Sequence, residues 1–304
     1  MKTLKRDYFI NFSFILPALI IFSLFYIYPF INIFFLSFTG NELSGGTKFV
    51  GWENFRQIFT EDKEWWNSVW HAGYITFWAL TFQNFLALVL ALCVDRAVKT
   101  GRIYRVLFFI LPILSEIIIG LFWRTLLSPI KGVAAPLNIS PVHRLVNMLG
   151  LGPFLGTFFS NPLNNPKTAL TAVALVHCWK GFGWGFVILL AGLQTIPEEL
   201  YEAARIDGAG FLQRFFKITL PLLMPVIVLV IILTILGTMQ VFALIMALTR
   251  GGPAGYTEVP VIRIFNHLTQ YKIGYASAEG LVLGLILIIV SFTFMQLSRK
   301  VKQT

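Results

Sequence analysis

Apolar residues fall along this chain in six long runs, at about 11–38, 68–94, 106–123, 169–193, 222–248 and 277–297, with polar and charged residues gathered between them. Roughly 20 apolar residues carry a helix across the hydrocarbon core of a bilayer, where every backbone N–H and C=O must be satisfied within the segment. Each run is of that order. The pattern predicts an all-α membrane protein with six transmembrane helices, forming a single transmembrane domain over 1–304. No charge lies between Asp7 and Glu42, whereas the apolar core of a signal peptide spans roughly 7–15 residues. The first run is therefore expected to remain as a membrane anchor.

Composition sharpens this picture. Hydrophobic residues make up 57% of the chain and charged residues 12%, about half the charge of a soluble domain, with a mean hydropathy of +0.75. The net charge of +10 does not point to nucleic acid, because the basic residues sit in short clusters beside the apolar runs, as at a membrane surface. An even number of spans puts both termini on one side. If that side is cytoplasmic, the inner segments hold Lys2, Lys5, Arg6, Arg96, Lys99, Arg102, Arg105, Arg205, Arg214, Lys217, Arg299, Lys300 and Lys302. The outer loops, 39–67, 124–168 and 249–276, hold ten Lys and Arg over about twice the length. Cytoplasmic termini are expected by the positive-inside rule. Cys93 and Cys178 lie inside apolar runs, which indicates neither a disulfide framework nor a metal site. The four histidines are scattered, with no H-E-x-x-H, no G-x-S-x-G and no paired carboxylates. No catalytic residue, metal or bound cofactor is expected.

The polar loop at 195–221, between the fourth and fifth runs, has its own organisation. Pro197 can open a helix whose first turn carries Glu198 and Glu199 near its positive end. Glu202, Ala203 and Ala204 continue it, Gly208 and Gly210 interrupt it, and a second helical stretch is expected to end at Leu220 and Pro221. A short helix–turn–helix along the membrane surface follows. Its small residues permit close docking in a partner's groove, with Glu202 and Arg205 available at the rim.

At Glu202, Ala203, Ala204, Asp207 and Gly208, followed by Ile218, Leu220 and Pro221, the chain resembles the integral membrane permeases of bacterial ABC importers. Leu190 to Gln194 with Ile196 and Pro197, Leu248 to Pro253, Gly274 to Ala278, and the spacing of Trp123, Pro129 and Gly132 extend the resemblance to the carbohydrate-uptake permeases of the maltose and glycerol-phosphate type. It implies that the loop is the coupling helix docking on an ATPase subunit. It further implies a second homologous permease subunit, two ATPase subunits that bind the ATP and Mg²⁺, an extracytoplasmic solute-binding protein and a saccharide substrate, in a bacterial plasma (inner) membrane. Leu43, Ser44, Gly45 and Gly46 match the LSGG signature of the ATPases by composition alone, since no GxxxxGK[ST] occurs in the chain.

Polar residues within spans are costly and therefore informative. His177, Lys180, Gly181 and Trp184 share one face of the fourth run, and Thr234, Gly237, Thr238 and Val241, with Gln240 nearby, recur at the same spacing on the fifth. Aromatic faces, hydroxyls and amides suit a saccharide; small residues and threonines equally suit helix–helix packing. Both readings stand at this point. Lys180 and Glu116 lie at similar depth, within about 6 Å by helical rise, so Glu116 can form a structural pair with Lys180 or leave it for solute. A lone Lys180 would favour an acidic or phosphorylated solute, such as a phosphorylated polyol. A secondary carrier would need an internal repeat and matched broken spans, and no convincing repeat is visible.

Overall fold

The computed structural model describes Phe12 and residues 14–40, 48–95, 101–128 and 162–301. The N-terminal basic cluster, Leu43 to Gly46, Pro129, Gly132 and most of the 124–168 loop lie outside the described residues. Among the described residues the chain forms helices α1 Phe14–Leu36, α2 Glu53–Thr60, α3 Lys63–Asp95, α4 Gly101–Ile113, α5 Glu116–Leu126, α6 Pro166–Leu193, α7 Glu198–Ile206, α8 Phe211–Met239, α9 Ala243–Leu248, α10 Pro260–Thr269 and α11 Ile273–Val301. No strand forms there beyond an isolated bridge between Thr39 and Phe49.

Five helices, α1, α3, α6, α8 and α11, are long and apolar enough to cross a membrane, and the α4–α5 pair makes a sixth span that is bent by 92°. The expected straight helix over 106–123 is thus replaced by two half-helices. Pro112 has no N–H for the Phe108 carbonyl, Ser115 leaves the helix at φ −57 and ψ 134, and Glu116 begins the next one. A second departure concerns the fifth run. The helix does not stop at Leu220 and Pro221 but continues from Phe211 to Met239, through a π-helical turn over Phe215–Thr219. That wide turn immediately precedes Pro221, where an α-helical hydrogen bond would be missing. The helix then ends at Met239, short of the expected Leu248, and α9 follows as a separate piece.

The described residues group into two units. The first comprises those of Met1–Lys63 with Arg263–Leu285. In it, Asn54 donates to the carbonyls of Ser37 (2.7 Å) and Thr39 (2.9 Å), satisfying backbone oxygens just beyond α1. α1 exposes nearly all its apolar side chains, from Phe14 to Phe35, a surface suited to lipid and not to water. On α2, the guanidinium of Arg56 donates to Glu53 at 2.8 Å and holds that carboxyl below the usual carboxylate range.

The same unit contains a buried ionic network that the sequence pattern did not reveal. Arg263 donates to both oxygens of Asp62 at 2.8 Å, and its Nε lies 3.3 Å from Glu279, which is fully buried. His267 pairs with the other Glu279 oxygen at 2.8 Å, and the Tyr275 hydroxyl donates to Asp62 at 2.7 Å. The network forms one wall of a polar cavity of about 500 Å³.

The second unit comprises the described residues of Glu64–Ile262 with Ile286–Thr304. α6 is its axis. Asn165 caps it by accepting from the Lys167 N–H at 3.0 Å, and Pro166 takes the first turn. α3 and α6 pack through small residues. A Cβ at Gly185 would stand 3.2 Å from that of Ala87, so backbones approach closely, as they must where dispersion contacts replace the hydrophobic effect. Ala87, Ala91, Phe182, Phe186, Leu189, Leu223 and Val230 form the shared core of α3, α6 and α8.

Removing the central cation of the ionic network leaves two buried carboxylates facing each other. Arg263→Met is expected to destabilise its unit by about 3–5 kcal/mol, the cost of breaking a buried pair, and to lower the unfolding temperature of the purified protein. An unchanged calorimetric midpoint would remove the network from the forces that hold this unit.

Candidate functional site

The π-helical turn Ala79–Gln83 of α3, the first turn of α5, the middle of α6 and the C-terminal half of α8 surround a cavity of about 360 Å³, within the range of small-ligand sites. Its lining includes His177, Lys180, Gly181 and Trp184 from α6, Thr234, Gly237 and Thr238 from α8, Glu116 from α5, and Gln83 from α3. The two helical faces read from the sequence are therefore brought together around one space. Gln240 and Val241 are not among the lining residues. α8 ends at Met239, so the helical spacing is not propagated to them; Gln240 is exposed and Val241 is buried elsewhere.

The charged pair is formed. Lys180 Nζ donates to Glu116 Oε1 at 2.6 Å, with 13% of the lysine side chain and 34% of the glutamate side chain exposed. Glu116 is the first residue of α5, so the positive end of that half-helix and the ammonium both attract its carboxylate.

The threonines are engaged in packing. Thr234 donates to Asn84 Oδ1 at 3.2 Å, Thr238 Oγ1 lies 2.7 Å from Thr76 Oγ1, and Thr238 also donates to the Thr234 carbonyl at 2.8 Å. Both hydroxyls serve contacts between α3 and α8 or within α8. Gly237 differs from the packing glycines, since a Cβ there would meet nothing within 4 Å; it leaves open space. Trp184 is more than half exposed.

Two polar atoms of the lining have no hydrogen-bond partner among the described residues, His177 Nδ1 and Gln83 Oε1. Gln83 escaped the sequence reading because a single glutamine inside an apolar run carries no periodic signal. The structure supplies what the sequence lacked: all three heavy atoms of its amide lie within 3.0 Å of where a Cβ at Gly181 would sit.

On the other face of this unit, α7 and the start of α8 form the expected helix–turn–helix. Glu202, Ala203, Asp207 and Gly208 are exposed and Ala204 is half-buried, with Arg205 only 3.9 Å from Glu202. Gly208 has φ +76 and open space around it, so it serves the turn and not a packing contact. Apolar side chains are presented outward as well, with Ile206 87% exposed and Phe211 and Leu212 beside it. Tyr201 and Thr219 share a hydrogen bond of 2.9 Å that ties α7 to α8.

The chain matches the family described as "Binding-protein-dependent transport system inner membrane component" over residues 7–303. It is 30% identical to the probable ABC transporter permease protein YesP of Bacillus subtilis, over 95% of this chain and 91% of that protein. It is 30% identical to the arabinooligosaccharides transport system permease protein AraP of the same organism, over 94% and 87%, and 31% identical to the sulfoquinovosyl glycerol transport system permease protein SmoG of Agrobacterium fabrum, over 93% and 88%. Its fold superposes with a TM-score of 0.78 on a chain of a bacterial ABC transporter involved in the import of the acidic polysaccharide alginate, at 22% identity and 98% coverage of both chains. With the family matched along almost its whole length, the chain belongs to the binding-protein-dependent transport system inner membrane components.

Proposed function

We propose that this chain is one of two permease subunits of an ATP-driven importer, and that it passes a saccharide, delivered by an extracytoplasmic binding protein, through the cavity between α3, α5, α6 and α8. The observation that carries the reading is that α6 and α8 both line the cavity and are joined by the exposed α7 loop. A partner that moves the loop therefore moves two walls of the cavity. The exposed Trp184 ring offers a stacking face, and the carbohydrates named for AraP and SmoG support a saccharide cargo.

Two ATPase subunits bind the loop of this chain and that of a second, homologous permease, and they hold the ATP and Mg²⁺. This chain needs no cofactor and performs no chemistry of its own. The basic residues flanking the spans favour cytoplasmic termini. ATP-driven closure of the ATPase pair would then switch the cavity from inward- to outward-facing as a rigid-body movement.

Three outcomes test this reading. Gly208→Arg places a long side chain on the docking face and an L-residue at positive φ, which costs about 1–2 kcal/mol of local strain. Membrane insertion should persist while co-purification with the ATPase subunits and transport are lost; import at the parental rate would exclude the docking role. A cysteine at Gly210 should resist an impermeant thiol reagent in intact cells while one at Gly255 reacts, and strong labelling at Gly210 would reverse the orientation. Lys180→Met and Glu116→Gln should each lower thermal stability, with the double variant recovering about 0.5–3 kcal/mol of coupling. Additive losses would mean that the pair does not stabilise the unit.

A further inference from the structure

The cavity contains an ammonium, yet it does not offer one to solute as a free charge. Lys180 is largely buried and its Nζ is held at 2.6 Å by Glu116. A solute carboxylate or phosphate would have to compete with a carboxylate already fixed at the positive end of α5, and would leave Glu116 facing a second anion. The ion pair therefore disfavours anionic cargo, which reverses the inference that a lone Lys180 would support.

With the charges paired and Thr234 and Thr238 engaged between helices, Gln83 and His177 are the lining residues that keep a buried polar atom without a hydrogen-bond partner among the described residues. Gln83 is the one that carries an amide. It is 6% exposed, its Oε1 has no partner among the described residues, and it lies on a π-helical turn, a distortion frequent at functional positions. A buried carbonyl oxygen without a donor costs about 1–3 kcal/mol, a cost that a ligand hydroxyl would remove. Gly181 lets the amide lie flat against α6, because any side chain there would collide with it. The contact fixes the amide, as a specificity group requires.

We propose that Gln83 is a specificity residue of this cavity, reading the hydroxyls of an uncharged saccharide while Glu116 masks the Lys180 charge. The proposal rests on the transport reading above and narrows its solute class. An amide donates and accepts at once, which matches a sugar hydroxyl. A site built around such a group also rejects analogues that lack the hydroxyl.

The test uses the whole complex, with its partner permease, ATPase subunits and binding protein, in proteoliposomes. The probes are a panel of labelled neutral di- and trisaccharides of glucose and arabinose, their single-deoxy analogues, and the uronic-acid counterparts of the glucose members. The parental complex should import a neutral member at least 10-fold faster than its uronic or deoxy counterpart. Gln83→Leu should co-purify with the ATPase subunits, raise the transport KM at least 10-fold for the neutral sugar, and reduce its preference over the deoxy analogue to less than 3-fold. Gln83→Asn should retain part of that preference, which a purely structural role would not predict. In the assembled Glu116→Gln complex, uncovering Lys180 should shift preference toward the uronic acid at least 5-fold. Parental preference for the uronic acid, or unchanged KM and discrimination in Gln83→Leu, overturns the proposal. Should Gln83→Leu not assemble, Gln83→Met keeps the side chain's length and carries the same expectation; failure of both to assemble assigns Gln83 to packing and overturns the proposal too. Trp184→Ala separates the two levels. If it impairs import while Gln83→Leu does not, only this inference fails; if neither has an effect, the cavity is not the pathway.

Discussion

A lysine ammonium on a membrane-spanning helix requires a counter-charge within hydrogen-bonding reach, and the course of the chain from Pro112 to Leu126 supplies one. Had the third span been a straight helix, Glu116 would have lain mid-helix, without the unsatisfied N–H groups of a first turn behind it. The break after Ile113 places Glu116 at the start of α5 instead, 2.6 Å from Lys180. Helix start and ammonium then act on the same carboxylate. The bend of 92° exposes backbone groups, and inside hydrocarbon these are tolerated only where protein or a cavity receives them. Gly183 lies against the Phe108 carbonyl and the Pro112 ring, where any side chain would be excluded. On the other half-helix, a Cβ at Gly120 would come 2.5 Å from that of Ala247 on α9. Both halves of the broken span are thus seated on protein through glycine.

The same requirement governs the polar side chains. Thr76, Thr234 and Thr238 link α3 to α8 with hydroxyl hydrogen bonds, directly or through Asn84, while Asp62, Arg263, Glu279, His267 and Tyr275 pair with one another through ion pairs and hydrogen bonds in the other unit. Each of these groups would be costly alone in an apolar surrounding. Gln83 Oε1 and His177 Nδ1 have no partner among the described residues and belong to residues that line an open volume, which makes them informative.

Much of this architecture was legible in the chain because lipid imposes a simple code. Run length gave the spans, and two i, i+3, i+4 faces gave most of the lining of one cavity. The helix–turn–helix was readable from Pro197, the acidic first turn and Gly208, since caps and turns depend on local chemistry. What was not legible has a common cause. The break at Ser115, the end of α8 at Met239 and the contact of Gln83 with Gly181 depend on what another helix presents at that point, and hydropathy does not encode it. The network around Glu279 escaped for the same reason, as its members are up to 217 positions apart in sequence, from Asp62 to Glu279.

The connection between the two ends of the second unit is mechanical. Lys180 lies 14 residues from Gln194, about 21 Å along α6, and Thr234 lies 23 residues from Phe211, about 35 Å along α8. No loop interrupts either path. α8 passes through Pro221 without a break because of the wide turn before it, and Tyr201 fastens α7 to that turn at Thr219. A helix interrupted at Leu220 and Pro221, as the sequence suggested, would have absorbed a displacement of the loop at a hinge. The continuous one has no such hinge. On the proposed reading, this continuity lets an ATPase on the exposed face of α7 change the shape of a site more than 20 Å away without touching it.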